Sequence, residues 1–351
     1  MLGIAPSAPK SPGAQARPQP AMPEDRQTAA EPSQGEGLFR RSECLLILYF
    51  ALAAARTAAR GFFLFSLVDL CVPLVFAALA LAERRVRRMW VGVLRDWTAM
   101  PFLLLAYWNV DWVAQGSRAG GYEQRWILLD RLLLYGWGGR SAIECCGSLV
   151  PSLLELSYLV LYAVPPALLG VIYLGGRRRH ADRYLSTLFA GSLTAYALLP
   201  LFPSGSPRDL FPGQDLPSVI TILRSINLWL LDTLDIHTSV FPSGHVAVAF
   251  SSAFGVMRVF PERRWLGRLL LTFAALVTIS TVYARYHYAV DGLAGLTISL
   301  AAFHVSRLLD RRGSGEQRLT QSGGTRGPGQ QGKEPPISRQ DAKLAKAAKV
   351  F

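Results

Sequence analysis

The stretch His287-Tyr288-Ala289-Val290-Asp291-Gly292-Leu293-Ala294-Gly295-Leu296-Thr297-Ile298-Ser299-Leu300-Ala301-Ala302-Phe303 joins two ionisable side chains to a run that is apolar on every side. A helix apolar all round is buried in a large core or in a membrane. Ionisable groups at the mouth of such a helix are costly to keep there, so function is the default reading. His287 and Asp291 are four residues apart, which on a helix puts both side chains on one face, about one turn apart. Asp291 can then accept the Nδ1 proton of His287 and leave Nε2 as a directed nucleophile or base. Taken alone, the pattern reads more readily as a helix-start histidine satisfied by a neighbouring carboxylate.

Upstream, Phe241-Pro242-Ser243-Gly244-His245 opens a second apolar run, Val246 to Phe260. Pro242 and Gly244 bracket Ser243 in a turn, and the free backbone N–H groups of the following helix point at whatever lies beside His245. That is the geometry of a phosphate or oxyanion cradle, although alone it also reads as a turn with Ser243 capping the helix. Both islands begin helices, separated by one helix out and one back. Together they read as two halves of one phosphate-handling site.

The rest of the chain sets the surroundings. Of 351 residues, 51% are hydrophobic and only 17% charged, too apolar for a soluble domain of this size. The expected fold is all-α, a polytopic membrane bundle of about eight spans: Cys44 to Arg60, Phe62 to Leu81, Thr98 to Val113, Leu149 to Leu174, Tyr184 to Phe202, from His245, Leu269 to Tyr283, and His287 to Leu308. Between them, Gly120 to Gly147 is amphipathic, and Val219 to Leu231 reads as a short interfacial helix. Residues 1–40, rich in proline, and the basic tail after Arg312 carry too little apolar sequence to fold and are expected to be disordered. Lys343, Lys346 and Lys349 can touch anionic lipid.

Lys and Arg number five in Glu83 to Arg95, four in Arg177 to Arg183, four in Arg258 to Arg268 and ten from Arg307 onward. With eight spans all four groups fall on one side, which the positive-inside rule makes cytoplasmic, together with both termini. The two islands then face the extracytoplasmic side of a cell membrane. The net charge of +13 is thus a topology signal, and no basic helix interleaved with aromatics suggests nucleic-acid binding. Arginine far outnumbers lysine, the usage of a GC-rich bacterial genome. Nothing in the sequence sets an oligomeric state.

Other candidates read more plainly. Cys44, Cys71, Cys145 and Cys146 have neither metal-ligand spacing nor a disulfide framework and are expected to be packing residues. Asp232, Asp235 and His237 fit no standard metal set and read as loop residues. His180 lies in a charge run and reads as solvated, and His304 as interfacial or core.

The PSGH of residues 242–245 followed by the HxxxD of residues 287–291 resembles the type 2 phosphatidic acid phosphatase superfamily of membrane lipid phosphatases and phosphotransferases. The resemblance covers about residues 95–309, as a six-helix catalytic core, with residues 41–94 as two additional spans and a loop, and 310–351 as a tail. It implies that His287 attacks phosphorus, Asp291 orients it, His245 protonates the leaving oxygen, and Ser243 and Gly244 bind phosphate oxygens. It implies no metal and no cofactor, with a lipid phosphate or phospholipid as substrate. The family's upstream basic motif is missing, and Thr281 stands where its third motif has arginine. Instead Phe202-Pro203-Ser204-Gly205-Ser206-Pro207-Arg208 and His287-Tyr288 look like the branch related to inositol phosphorylceramide synthases. Arg208 is then the candidate phosphate clamp, offering a planar fork, with Arg285 as its competitor. A Ser243-based hydrolase would want a GxSxG elbow, which PSGH is not. A lipid-phosphate carrier or scaffold on the same bundle is the non-enzymatic alternative.

Overall fold

The computed structural model describes residues 37–114 and 121–323, with side chains as far as Asp310. The expected disorder of residues 1–36, and the lysines beyond residue 323, lie outside the described residues. Helices α1 (Arg41–Ala59), α2 (Phe63–Val86) and α3 (Met89–Ala114) run up and down in turn. Short helices α4 (Glu123–Arg131) and α5 (Gly139–Glu144) precede α6 (Leu149–Val160) and α7 (Val164–Leu174). Then come α8 (Ala181–Leu198), α9 (Pro207–Leu210), α10 (Ile222–Leu234), α11 (Gly244–Val259), α12 (Arg264–Tyr283) and α13 (Ala289–Gly323). There is no strand among the described residues.

Six stretches are long and apolar enough to cross a membrane: α1, α2, Leu149–Leu174, Arg178–Leu201, α12 and Ala289–Asp310. The 26-residue α3 and the 16-residue α11 pack among them, so eight long stretches alternate in direction as the sequence predicts. Leu149–Leu174 is one span in two pieces. Pro165 and Pro166 stand in the first turn of α7, where a missing N–H costs nothing, and the chain passes through a 3₁₀ turn at Leu161–Ala163 before them. Large apolar side chains on the outer faces, among them Leu64, Leu74 and Leu174, are exposed, as a lipid-facing surface requires.

The central helix is α8, which packs against α1, α3, α11 and α13. Its Tyr184, Leu188 and Phe189 are fully buried. Beside it α11 and α13 come close enough that a Cβ on Gly295 would lie 2.7 Å from the Ser243 carbonyl. Small residues at fourfold spacing, Ala247 and Ser251 on one helix and Gly295 and Ser299 on the other, make that approach possible. Ser299 Oγ donates to the Ala247 carbonyl at 3.0 Å, and Ser251 Oγ donates to Ser299 Oγ at 3.1 Å. Helix–helix contact in lipid rests on such packing and bonding, and here it fixes the heads of the two helices that carry the islands.

The basic groups converge on one end. Arg40 pairs with Glu83 at 2.9 Å and with Asp96, Arg95 pairs with Glu83 at 2.6 Å and with Glu43, and Arg258 pairs with Asp310 at 2.7 Å. The islands lie at the other end. Several expectations change. Helix α13 starts at Ala289, two residues beyond His287, and its backbone continues to Gly323, past Arg312 where disorder was expected. Leu38 to Arg40 belong to the folded chain, with the Leu38 carbonyl accepting from Arg95 at 2.8 Å. Cys44, Cys71, Cys145 and Cys146 are all exposed and so are not core packing residues: α1 and α2 turn Cys44 and Cys71 outward.

Candidate active site

The turn that carries His287 is built by the end of α12. The Thr281 carbonyl accepts from the backbone N–H of both Tyr286 (2.9 Å) and His287 (3.0 Å), and Arg285 between them has a left-handed backbone with φ 69°. Asp291 closes the turn from the other side, its Oδ2 accepting from the Tyr288 N–H at 2.9 Å. The Asp291 carbonyl accepts from the Ser243 N–H at 3.0 Å, a direct backbone tie between the two islands. His287 and Asp291 therefore meet across a helix start rather than along a helix, and the fourfold spacing still brings Nδ1 and Oδ2 to 3.3 Å.

One carbonyl sets the tautomers. His287 Nδ1 lies 3.0 Å from the Val240 carbonyl, which can only accept, so Nδ1 carries the proton and Nε2 the lone pair. Val240 thus shares with Asp291 the orienting role that the sequence gives to Asp291 alone. His287 Nε2 lies 3.2 Å from His245 Nδ1, which must donate. His245 Nε2 is left to accept from the hydroxyls of Tyr158 and Tyr162, each 3.1 Å away. Burial lowers the pKa of His287 to about 4, so its ring is neutral at neutral pH.

A small pocket of about 20 Å³ opens on both histidines, with Arg208, Asp235, Gly244 and Tyr286 in its wall. That is room for a single water. Arg208 NH1 is buried and makes no hydrogen bond, and the nearest carboxylates, Asp209 and Asp232, stand 3.6 and 3.7 Å from the guanidinium. Arg285 is turned away: it is fully buried, does not line the pocket, and pairs with Asp130 at 3.1 Å. Burial pushes Asp130 up to about 7 despite that partner, and its other oxygen accepts from the Ala289 N–H at 2.8 Å. Gly244 packs so tightly that a Cβ would lie 2.7 Å from the Tyr196 ring. The Ser243 hydroxyl is occupied as the helix cap, accepting from the Val246 N–H at 3.3 Å, and Ser243 does not line the pocket. Of the three loop residues upstream, Asp235 lines the pocket and accepts from the Tyr107 hydroxyl, Asp232 is exposed, and His237 lies against Asp111. His304 is exposed and bonds to the Leu300 carbonyl.

The sequence reading missed the tyrosines. Tyr107, Tyr158 and Tyr162 place their rings 5.9, 4.9 and 5.8 Å from that of His245. A signal existed: Tyr158 and Tyr162 are polar tips four apart in a largely apolar span, hence on one face. Also missed was a buried cluster around Glu155. Its Oε1 accepts from Arg224 at 3.1 Å and its Oε2 from Asn227 at 2.7 Å and the Tyr286 hydroxyl at 2.8 Å.

The chain is 37% identical over 60 residues to a PA-phosphatase related-family protein of Dictyostelium discoideum, a stretch that covers 17% of this chain and 10% of that protein. No solved structure matches. The branch related to inositol phosphorylceramide synthases is not among these matches. Residues 148–305, which carry both islands, Arg208 and the tyrosine pair, match the PAP2 superfamily.

Proposed function

We propose that the chain is an integral-membrane phosphatase or phosphotransferase of lipid phosphates that works through a phosphohistidine on His287. The observation that carries the reading is the 3.2 Å approach of His287 Nε2 to His245 Nδ1. It aims a lone pair and a ring N–H at one point, the two things that displacement at phosphorus asks of side chains beyond charge stabilisation. The substrate phosphoryl group enters by parting the two rings. With the phosphate charge beside it His245 takes the imidazolium form; as the N–P bond forms at His287 Nε2, the P–O bond to the leaving alcohol breaks and the imidazolium gives its Nδ1 proton to that oxygen, becoming neutral. Water, or the hydroxyl of a second molecule, then attacks the phosphohistidine and returns a proton to His245. Arg208, with buried unspent donors beside the pocket, clamps the equatorial oxygens. Gly244 contributes backbone at the helix start, and Ser243 acts by holding that turn.

A lipid substrate is supported by a second cavity of about 560 Å³ that shares Tyr107 and His245 with the pocket and is otherwise walled by apolar groups such as Met100, Leu104, Trp108, Leu159 and Leu230. An acyl chain lying there leaves its phosphate at the histidines. The basic end being cytoplasmic, the reaction takes place at the extracytoplasmic face. The Pro207-Arg208 and His287-Tyr288 pairs favour an alcohol acceptor, hence transfer of the inositol phosphorylceramide synthase kind. The test is a single-turnover reaction with ³²P-labelled lipid phosphate in EDTA. Acid-labile, base-stable label on wild type that is missing from His287→Ala is expected. Turnover without label on the protein, or turnover that EDTA abolishes, would sink the reading.

A further inference from the structure

At the opposite end of the bundle, residues from four helices and the connecting loop enclose a cavity of about 630 Å³. Six arginines line it: Arg183, Arg258, Arg263, Arg264, Arg268 and Arg307. The carboxylate in the same wall is that of Asp310, already engaged by Arg41, Arg183 and Arg258 at 2.7, 3.4 and 2.7 Å. Among the described residues no carboxylate is ion-paired with Arg263, Arg264, Arg268 or Arg307. From His245 to Arg258 along α11 the distance is about 20 Å, so this cavity is separate from the histidine pocket.

A positive end by itself needs only the topology rule to explain it, but that rule does not require arginines to converge. Elsewhere at this end Arg40, Arg95 and Arg178 meet Glu43, Glu83 and Asp96, guanidinium against carboxylate. Six guanidiniums and one carboxylate line the cavity, with Glu262 beside Arg263 just outside the wall, an excess of positive charge that favours an anion. Two further features point to the depth at which that anion lies. Trp265, 63% exposed between Arg264 and Arg268, is the residue type that marks the level of lipid headgroups. The rim is continuous with outward apolar side chains, Leu269 on α12 and Val305 and Leu308 on α13, while Phe260, Leu271 and Phe303 line the interior. A soluble anion has no use for that apolar wall; acyl chains do.

We propose that this cavity is a binding site for the headgroup of an anionic phospholipid, its phosphate held by Arg263, Arg264 and Arg268 and its acyl chains running down the groove between α12 and α13. It is separate from the chemistry at the histidine end and is tested by binding alone. The purified full chain is equilibrated in detergent with equal amounts of phosphatidylglycerol and phosphatidylcholine of matched chains, and retained lipid is read by native mass spectrometry. Phosphatidylglycerol is expected to be preferred by about tenfold or more. The triple variant R263Q/R264Q/R268Q loses that preference, whereas R85Q/R87Q/R88Q, which removes as many charges from the same end, keeps it. Neither triple lines the histidine pocket, so lipid bound there is common to both and cancels. Equal loss in the two triples, no preference in wild type, or complete displacement by millimolar inorganic phosphate would each overturn the proposal. The last outcome would identify a free-anion site. If the triple variant unfolds, Arg264→Gln alone, at an exposed position, carries the same expectation in reduced degree.

Discussion

Two polar clusters share the loop end of the bundle, and they differ in how much of their bonding capacity is used. Around Glu155 both carboxylate oxygens are occupied, by Arg224, Asn227 and the Tyr286 hydroxyl, and the carbonyl of Glu155 accepts again from Asn227 at 2.9 Å. Around His287 capacity is left over: Asp291 Oδ1 and Arg208 NH1 are buried with no hydrogen bond. An unsatisfied polar group inside a membrane bundle is expensive. The largely closed Glu155 cluster repays most of its burial with its own bonds, only Asn227 Oδ1 being left without a partner, and serves the fold. The open cluster at the pocket keeps a donor beside the cavity for a ligand to meet, which makes it the candidate site.

The sharpest way to break this comparison is His287→Ala, which should lower turnover by on the order of 10⁴ while leaving the denaturation midpoint in detergent where it was. If activity survives, the open cluster is not catalytic. Arg208→Gln should lower kcat/KM by about 10²–10³ with little change in stability, and Arg208→Lys should recover only part of it, since an ammonium lacks the guanidinium fork. The closed positions should do the reverse. Glu155→Gln leaves Arg224 buried without its counter-charge and should cost about 3 kcal/mol of unfolding free energy, read by denaturant titration, with activity per folded molecule close to wild type. Arg285→Gln, which orphans the buried Asp130, should likewise cost stability, although Arg285 Nε and NH2 are themselves buried without a hydrogen bond.

Smaller effects sharpen the boundary. Tyr158→Phe removes one of two hydroxyls on His245 Nε2 and should slow turnover by about fivefold, the worth of one hydrogen bond of about 1 kcal/mol. The pH profile should move least. Because burial depresses His287 to about 4, its lone pair survives well below the ordinary histidine range. Activity limited by this group should then stay flat from neutral pH downward and fall only as pH approaches about 4. An acid limb near the unperturbed value of about 6.5 would show that the ring is solvated in the working protein. The same shift implies that stability is lost as pH falls from about 6.5 toward 4, where the unfolded chain binds a proton that the folded chain refuses.

The sequence alone determined the eight alternating stretches, the end at which the arginines gather, and the candidacy of His245, His287 and Asp291. All of these follow from local quantities: the length of an apolar run, the charge of a loop, a spacing of four. Tertiary structure decided the rest. It turned Arg208 toward the histidines and Arg285 away to Asp130, spent the Ser243 hydroxyl on a helix cap, and brought Val240, Tyr107, Tyr158 and Asp235 to rings far away in the chain. It also gathered six arginines from separate helices around one cavity. Hydropathy says that a helix crosses the bundle but not how it is rotated or how closely it packs. Those are set by contacts such as Gly295 against Ser243, which depend on the shapes of two helices at once.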